Sequence, residues 1–236
     1  MIGDQICLLN RVRDPKNLEA AFAYAAYDRK HGDHFCDHFE MDFVSARKEA
    51  ILAEISKELA DIRAYSPRPA YAYYPPKNDL CYRRMIYIPF KDLVVRYAFT
   101  IVLADLLDGD LSPHCFANRR ARGEGAKFAF LENFAEVSWP SFCRWQRDCA
   151  SEDEITTLIR TDISAFYDSI SHDYLVDSIS SSLEVEKSTD LMEFFHRILH
   201  LPVISYSHLS CTPKTQTTIE RAVEKMIALP GLHDLV

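Results

Sequence analysis

The sequence predicts an α+β fold, rich in helices and with one small antiparallel sheet. Three observations carry that reading. Apolar residues recur at three- and four-residue spacing through much of the chain, aromatic and β-branched residues flank a Pro/Asn/Asp turn between residues 70 and 89, and an Ile/Thr-rich run covers 155–163. With 236 residues, 48% of them hydrophobic, and only 6 glycines and 11 prolines, the chain can bury a sizeable core and has little material for long linkers. One continuous fold is expected.

Taken in order, residues 14–46 are polar with scattered aromatics. An amphipathic helix follows, with Leu52, Ile55, Leu59 and Ile62 on one face, and it should end before Ser66-Pro67-Arg68-Pro69, where two prolines remove donors. From Tyr71 to Pro89, the turn Pro75-Pro76-Lys77-Asn78-Asp79 separates two strand-like runs and predicts a hairpin. Asp92–Leu107 reads as a mostly apolar helix closed by Asp108-Gly109-Asp110. A loop with Pro113 and Asn118-Arg119-Arg120 leads into a helical stretch, and Trp139, Phe142 and Trp145 line another helix, the tryptophans as core. Ile155–Ile163 reads as a buried or half-buried strand. Ser171 can cap the next helix, with Tyr174, Leu175 and Ile179 inward; Leu191–Leu201 and Ile219–Leu229 are further helices.

The formal charge of −8 argues against a general nucleic-acid binder. Charge is uneven, however: residues 68–127 carry a net +4 and the remainder −12. Seven scattered cysteines without C-x-x-C pairs suit a reducing cytosol, and the start of the chain has no basic, apolar leader, so a cytoplasmic location is expected. Leu93–Leu107 is too short for a bilayer span and contains Arg96 and Asp105; no membrane role is expected. His31, His34, Cys36 and His38, with Asp33 and Asp37, look like a metal cluster at first, but Gly32 interrupts them and no second ligand pair is read elsewhere at metal-site spacing.

The chemistry-bearing block is Thr161-Asp162-Ile163-Ser164-Ala165-Phe166-Tyr167-Asp168-Ser169-Ile170. Nucleotidyl transfer uses two Mg²⁺ ions held by hard oxygen ligands. An aspartate at a strand end suits that task, because the sheet fixes its backbone and the short side chain loses little freedom. Asp162 is so placed, and the Ile163 carbonyl would lie close enough to join it as a ligand. Tyr167 stands where a ring could sit under the sugar of an incoming nucleotide and reject a 2′-hydroxyl.

Asp162-Ile163-x-x-Phe166-Tyr167-Asp168-Ser169-Ile170-x-His172 resembles the first palm motif of bacterial reverse transcriptases, the group of retron, group II intron and abortive-infection or defence-associated enzymes. Upstream, Arg84-Met85-Ile86-Tyr87-Ile88-Pro89 followed by Asp92, Val94 and Val95 is similar to that family's fingers pattern, and Ser112–Arg119 to its fingers-to-palm link. The resemblance covers roughly residues 65–180; Ser164-Ala165 and the short Pro89-to-Asp92 spacing point to the defence-associated branch. It implies an N-terminal helical region over 1–65, a fingers-like region over 66–150 and a partial palm with C-terminal helices over 151–236. It further implies Asp162 as catalytic residue and, with Ile163, as Mg²⁺ ligand, Arg84 and Lys77 on the triphosphate, and Tyr167 beneath the sugar. RNA template, DNA or other primer, and dNTPs would be the partners, and Arg119 and Arg120 can meet template phosphates, which position nucleic acid without reading its sequence.

The family pattern continues with a Gly-Leu-Pro-x-Gly motif and an Asp-Asp hairpin. This sequence has no Asp-Asp pair, and Ala228-Leu229-Pro230-Gly231 only echoes the glycine motif. The expectation is a truncated or split reading frame, inactive alone, with the missing carboxylates on a separate C-terminal polymerase chain. The competing class is a non-catalytic remnant or subunit that binds nucleic acid or a partner. A haloacid-type phosphatase is disfavoured because Ser164 stands where its second aspartate would be.

Overall fold

The computed structural model describes residues 2–31, 37–78, 81–121, 134–152, 154–157, 159, 161, 163 and 166–204. The chain divides into two compact units, residues 1–69 with 87–202 and residues 70–86 with 203–236. The larger holds α1 (Ile2–Arg13), α2 (Pro15–His31), α3 (His38–Ala46), α4 (Lys48–Glu58), α5 (Phe90–Leu107), α6 (Trp139–Ala150), the single turn α7 (Phe166–Ser169), α8 (His172–Ser182) and α9 (Asp190–Leu199). The smaller holds β1 (Ala70–Tyr73), β2 (Pro76–Asn78), β3 (Cys81–Tyr82), most of β4 (Met85–Tyr87) and β5 (Val203–Ile204). The architecture is α+β and helix-rich. No described helix is long and apolar enough to cross a membrane.

Helix α5 is apolar on several sides because it is packed on several sides. Phe90, Val94, Val95, Ala98, Phe99 and Val102 are all buried, and α1, α2, α4 and α9 each contact the helix. The most extensive of these contacts is with α2, where fully buried Ala21 and Ala25 let the backbones approach and Phe22 sets its ring edge-on to Phe90 at 5.1 Å. Asn17 pins the α1–α2 corner to α5 by donating to the carbonyls of Val12 and Ala98, at 3.1 and 2.9 Å. On the opposite side α9 buries Leu191, Met192, Phe194, Phe195 and Ile198, with Phe195 stacked on Phe99 at 4.8 Å. That spacing is an amphipathic helical stripe, and Thr189 starts the helix by accepting from the Met192 N–H.

Several expected elements come out differently, each for a physical reason. Helix α4 buries Ile55 as expected, but Ile51 is buried in place of Leu52, which is half-buried, and the helix stops at Glu58. The Asp61 carboxylate accepts from the Arg63 and Ala64 N–H groups at 3.0 and 3.3 Å, a local turn that competes with the helix, and Arg197 takes up the carbonyls of Ile62 and Arg63. Leu59 and Ile62 remain buried, on turns instead of on a helix. The β2–β3 hairpin is antiparallel, but the three-stranded sheet of order β4-β1-β5 is not wholly so: β1 pairs parallel with β5, Ala70 opposite Val203 and Tyr71 opposite Ile204. A strand returning after a long crossover is free to pair in that sense, whereas a short turn enforces antiparallel pairing.

In α8, Ser171 caps the helix as expected, accepting from the Tyr174 N–H at 3.3 Å. Its inward face is Val176, Ile179 and Ser180, with Leu175 half-buried; Tyr174 is 72% exposed. Trp139 and Trp145 are not core. They are 46% and 37% exposed on α6, which buries no residue and gathers Phe142, Phe116 and His114 into a surface aromatic cluster. The described residues of 155–163 lie in no strand, and Ile155, Ile159 and Ile163 are 42%, 80% and 62% exposed. An isolated strand leaves its N–H and C=O groups unpaired, and no described strand pairs with this segment. The helical readings after Arg122 and over Ile219–Leu229, and the glycine-motif echo at 228–231, lie outside the described residues.

Candidate functional site

The residues read as a nucleotide site are unevenly described. Asp162 lies outside the described residues, as do Ser164 and Ala165. Tyr167 contributes its backbone to α7 and Lys77 its backbone to β2, while their side chains are outside the description. Arg84 is exposed in the link between β3 and β4. Lys77 and Arg84 belong to the smaller unit, Ile163 and Tyr167 to the larger. The implied Mg²⁺ pair is poorly matched by the residues present. Ile163 is 62% exposed and lies in no strand among the described residues, and one carboxylate with one carbonyl is too few hard oxygens for two such ions. The donor set does not fit a two-metal centre, and no chemical step is assigned to one.

Arg119 and Arg120, read as phosphate contacts, have protein partners. Asp108, 5% exposed at the end of α5, receives the Arg119 guanidinium at 3.2 Å and the Arg120 backbone N–H at 2.8 Å. Arg119 also donates to the carbonyls of Asp108 and Ser112, both at 3.1 Å, and Arg120 pairs with Asp105. Asn118 adopts φ 57°, a left-handed conformation that asparagine tolerates better than most residues. The two arginines therefore fasten the loop of residues 111–121 back onto the end of α5. Asp108→Ala should cost roughly 2 kcal/mol, the scale of charge-assisted hydrogen bonds lost from a nearly buried acceptor. A urea melt, with limited proteolysis of that loop, measures it; unchanged stability together with an unchanged cleavage rate would contradict the assignment.

The start of α5 contains a buried polar anchor. Asp92, in the first turn of α5, is 1% exposed and accepts from the Tyr65 hydroxyl at 2.7 Å and from Arg68 at 3.0 Å. Arg68 passes the charge outward to Glu58 at 2.7 Å, and Lys91 bridges Glu58 and Glu54 at 3.1 and 2.7 Å. Burial, and then the bond to Asp92, hold the Tyr65 phenol well above its ordinary pKa, so it stays a donor. A buried cation, Arg29 of α2, lies 4.1 Å above the Tyr87 ring and donates to the Ile88 carbonyl at 2.6 Å, while the Tyr87 hydroxyl bonds Glu40 of α3. These contacts hold the chain between Tyr87 and Asp92 against α2, α3 and the turns after α4.

The structure also assembles a group that sequence reading missed. Asp173 in the first turn of α8 and His196 and His200 at the end of α9 bring one ligand atom each within 4.8 Å of one another. The His196 and His200 rings stack at 3.9 Å, and His172 sets its ring edge-on to His200 at 4.7 Å. Burial, and then His200 beside it, lower the His172 pKa. The available signal was the four-residue interval between His196 and His200 on an amphipathic helix, which puts both rings on one face; Asp173 joins them only through the packing of α8 on α9. By contrast, the apparent cluster around His31–His38 resolves in part into structural roles. The His31 Nδ1 lies 3.0 Å from the Tyr27 carbonyl, and Asp37 caps α3 through the N–H groups of Phe39 and Glu40; Asp33, His34 and Cys36 lie outside the described residues. No family model matches the chain, and no curated protein matches it in sequence.

Proposed function

We propose that this chain is the fingers and first palm segment of an RNA-directed DNA polymerase of the defence-associated, reverse-transcriptase kind. It binds a deoxynucleoside triphosphate and a template–primer, and depends on carboxylates from a further stretch of polypeptide or a separate chain for turnover. The observation that carries the reading is the junction at Pro89. Helix α5 begins at Phe90 directly after the Arg84-to-Pro89 block and buries Asp92, Val94 and Val95, the helix expected after a fingers arginine. Farther along, the Phe166–Ser169 turn is followed at once by Ser171-capped α8, the order in which the palm motif reads. In this proposal Arg84 and Lys77 contact the triphosphate, Tyr167 lies under the sugar, and Asp162 is the protein's first ligand to Mg²⁺.

The test is equilibrium binding of a fluorescent dNTP with and without Mg²⁺. Asp162→Ala should weaken the Mg²⁺-dependent binding about tenfold or more, equivalent to ~1.4 kcal/mol. Tyr167→Ala should narrow the preference for dNTP over rNTP. Primer extension should be absent for the chain alone and appear when a segment bearing the Asp-Asp motif is supplied.

Nucleotide binding that ignores Asp162→Ala favours a second reading, a non-catalytic subunit that docks a partner or nucleic acid. Its supporting observation is the exposure of Ile155, Ile159 and Ile163, together with the surface aromatic cluster of α6.

A further inference from the structure

We infer that Asp173, His196 and His200 form a binding site for a single divalent transition-metal ion of the Zn²⁺ type, fastening the start of α8 to the end of α9. Two imidazoles and a carboxylate are a donor set suited to Zn²⁺, in contrast to the all-oxygen surroundings that Mg²⁺ requires. The geometry has three independent parts. His196 Nε2 lies 3.9 Å from an Asp173 carboxylate oxygen, and the ligand atoms of all three residues fall within 4.8 Å. Small rotations of exposed side chains suffice to bring such atoms to the spacing around one ion.

The second part is the tautomer. The Nδ1 of His200 lies 3.1 Å from the His196 carbonyl and donates to it, which leaves the Nε2 lone pair of His200 for a ligand bond. A ligating histidine commonly directs its other N–H at a carbonyl in this way, which fixes the ring plane. His172, packed edge-on at 4.7 Å, supports the same ring from the α8 side.

The third part is the setting. His196 lies in the last turn of α9 and His200 caps it, where the unpaired carbonyls of a helix C-terminus favour a cation. Helices α8 and α9 contact each other, and their Val176, Ile179, Leu191 and Met192 belong to one buried core, so the donors stand on braced elements. Asp173 and His196 also line a groove of about 630 Å³ between these helices, leaving room for water or an exogenous ligand at the remaining coordination position.

Isothermal titration of the reduced full chain with Zn²⁺ tests this, with Co²⁺ absorption to identify the ligands. The expected result is one Zn²⁺ per chain with a Kd on the order of 1–10 µM, a Co²⁺ spectrum without a thiolate band, and a rise of a few degrees in Tm on adding Zn²⁺. His196→Ala, His200→Ala and Asp173→Asn should each weaken binding about tenfold or more and remove the Tm rise, whereas His31→Ala should change neither. The substituted side chains are exposed, and far-UV circular dichroism verifies that each variant folds. A thiolate band, binding unchanged in the histidine variants, or no binding below about 1 mM would each overturn the inference.

Discussion

Replacing Asp92 by alanine is expected to destabilise the protein by roughly 2–4 kcal/mol, the scale of two hydrogen bonds to a charged, buried acceptor. The carboxylate is 1% exposed and receives two donors, Tyr65 at 2.7 Å and Arg68 at 3.0 Å. Alanine leaves the Tyr65 hydroxyl without its acceptor and Arg68 with only Glu58, so the loss exceeds that of one hydrogen bond. Asp92→Asn should fall between, since an amide oxygen can still accept from Tyr65 but no longer compensates the guanidinium. Urea melts of the three proteins give the order directly. If alanine and asparagine cost the same few tenths of a kcal/mol, Asp92 is not the anchor described.

Because the anchor fixes the beginning of α5, its loss should also reach the nucleotide site proposed to depend on the block before that helix. Affinity for dNTP should fall in Asp92→Asn even under conditions where the variant is fully folded. Unaltered affinity would leave the anchor a matter of stability alone.

Phe194→Ala should cost about 3–5 kcal/mol, as for other large-to-small changes at fully buried aromatic positions. Phe194 is 0% exposed on α9, with Tyr65 edge-on at 5.5 Å and Phe99 of α5 at 6.1 Å. Its removal opens a cavity between α5, α9 and the turns after α4, where the neighbours are held by their own contacts: Phe99 stacks on Phe195 and Tyr65 is bonded to Asp92. Phe194→Leu should recover about half of the loss. The two predictions interact, because Tyr65 is common to both. In the double variant the summed costs should fail to add by about 0.5 kcal/mol or more; strict additivity would show that Tyr65 does not transmit between them.

Local patterns were legible wherever one element supplied its own reason. The apolar run after Pro89 had to be a buried helix, Ser171 had to cap one, and the aromatic runs around residues 75–79 pointed to strands; each is present, with boundaries shifted by a few residues. The end of α4 was misjudged because an Asp61 side-chain turn stops the helix before the prolines do. The tryptophans of α6 misled because hydrophobic size is a one-way guide to burial, and these rings cover one another on a surface.

The sequence by itself determined the α+β content, the central apolar helix, the order of the Arg84-to-Pro89 and Asp162-to-Ile170 blocks, and the absence of an Asp-Asp pair. Those features depend on residue type and short spacing. Only the tertiary structure decided that Arg119 and Arg120 fasten a loop through Asp108, that β5 joins β1 in parallel, and that Asp173 meets His196 and His200. Each of these brings together residues from separate elements, and the energy that selects such pairs comes from packing and desolvation in the folded chain, which no local pattern encodes.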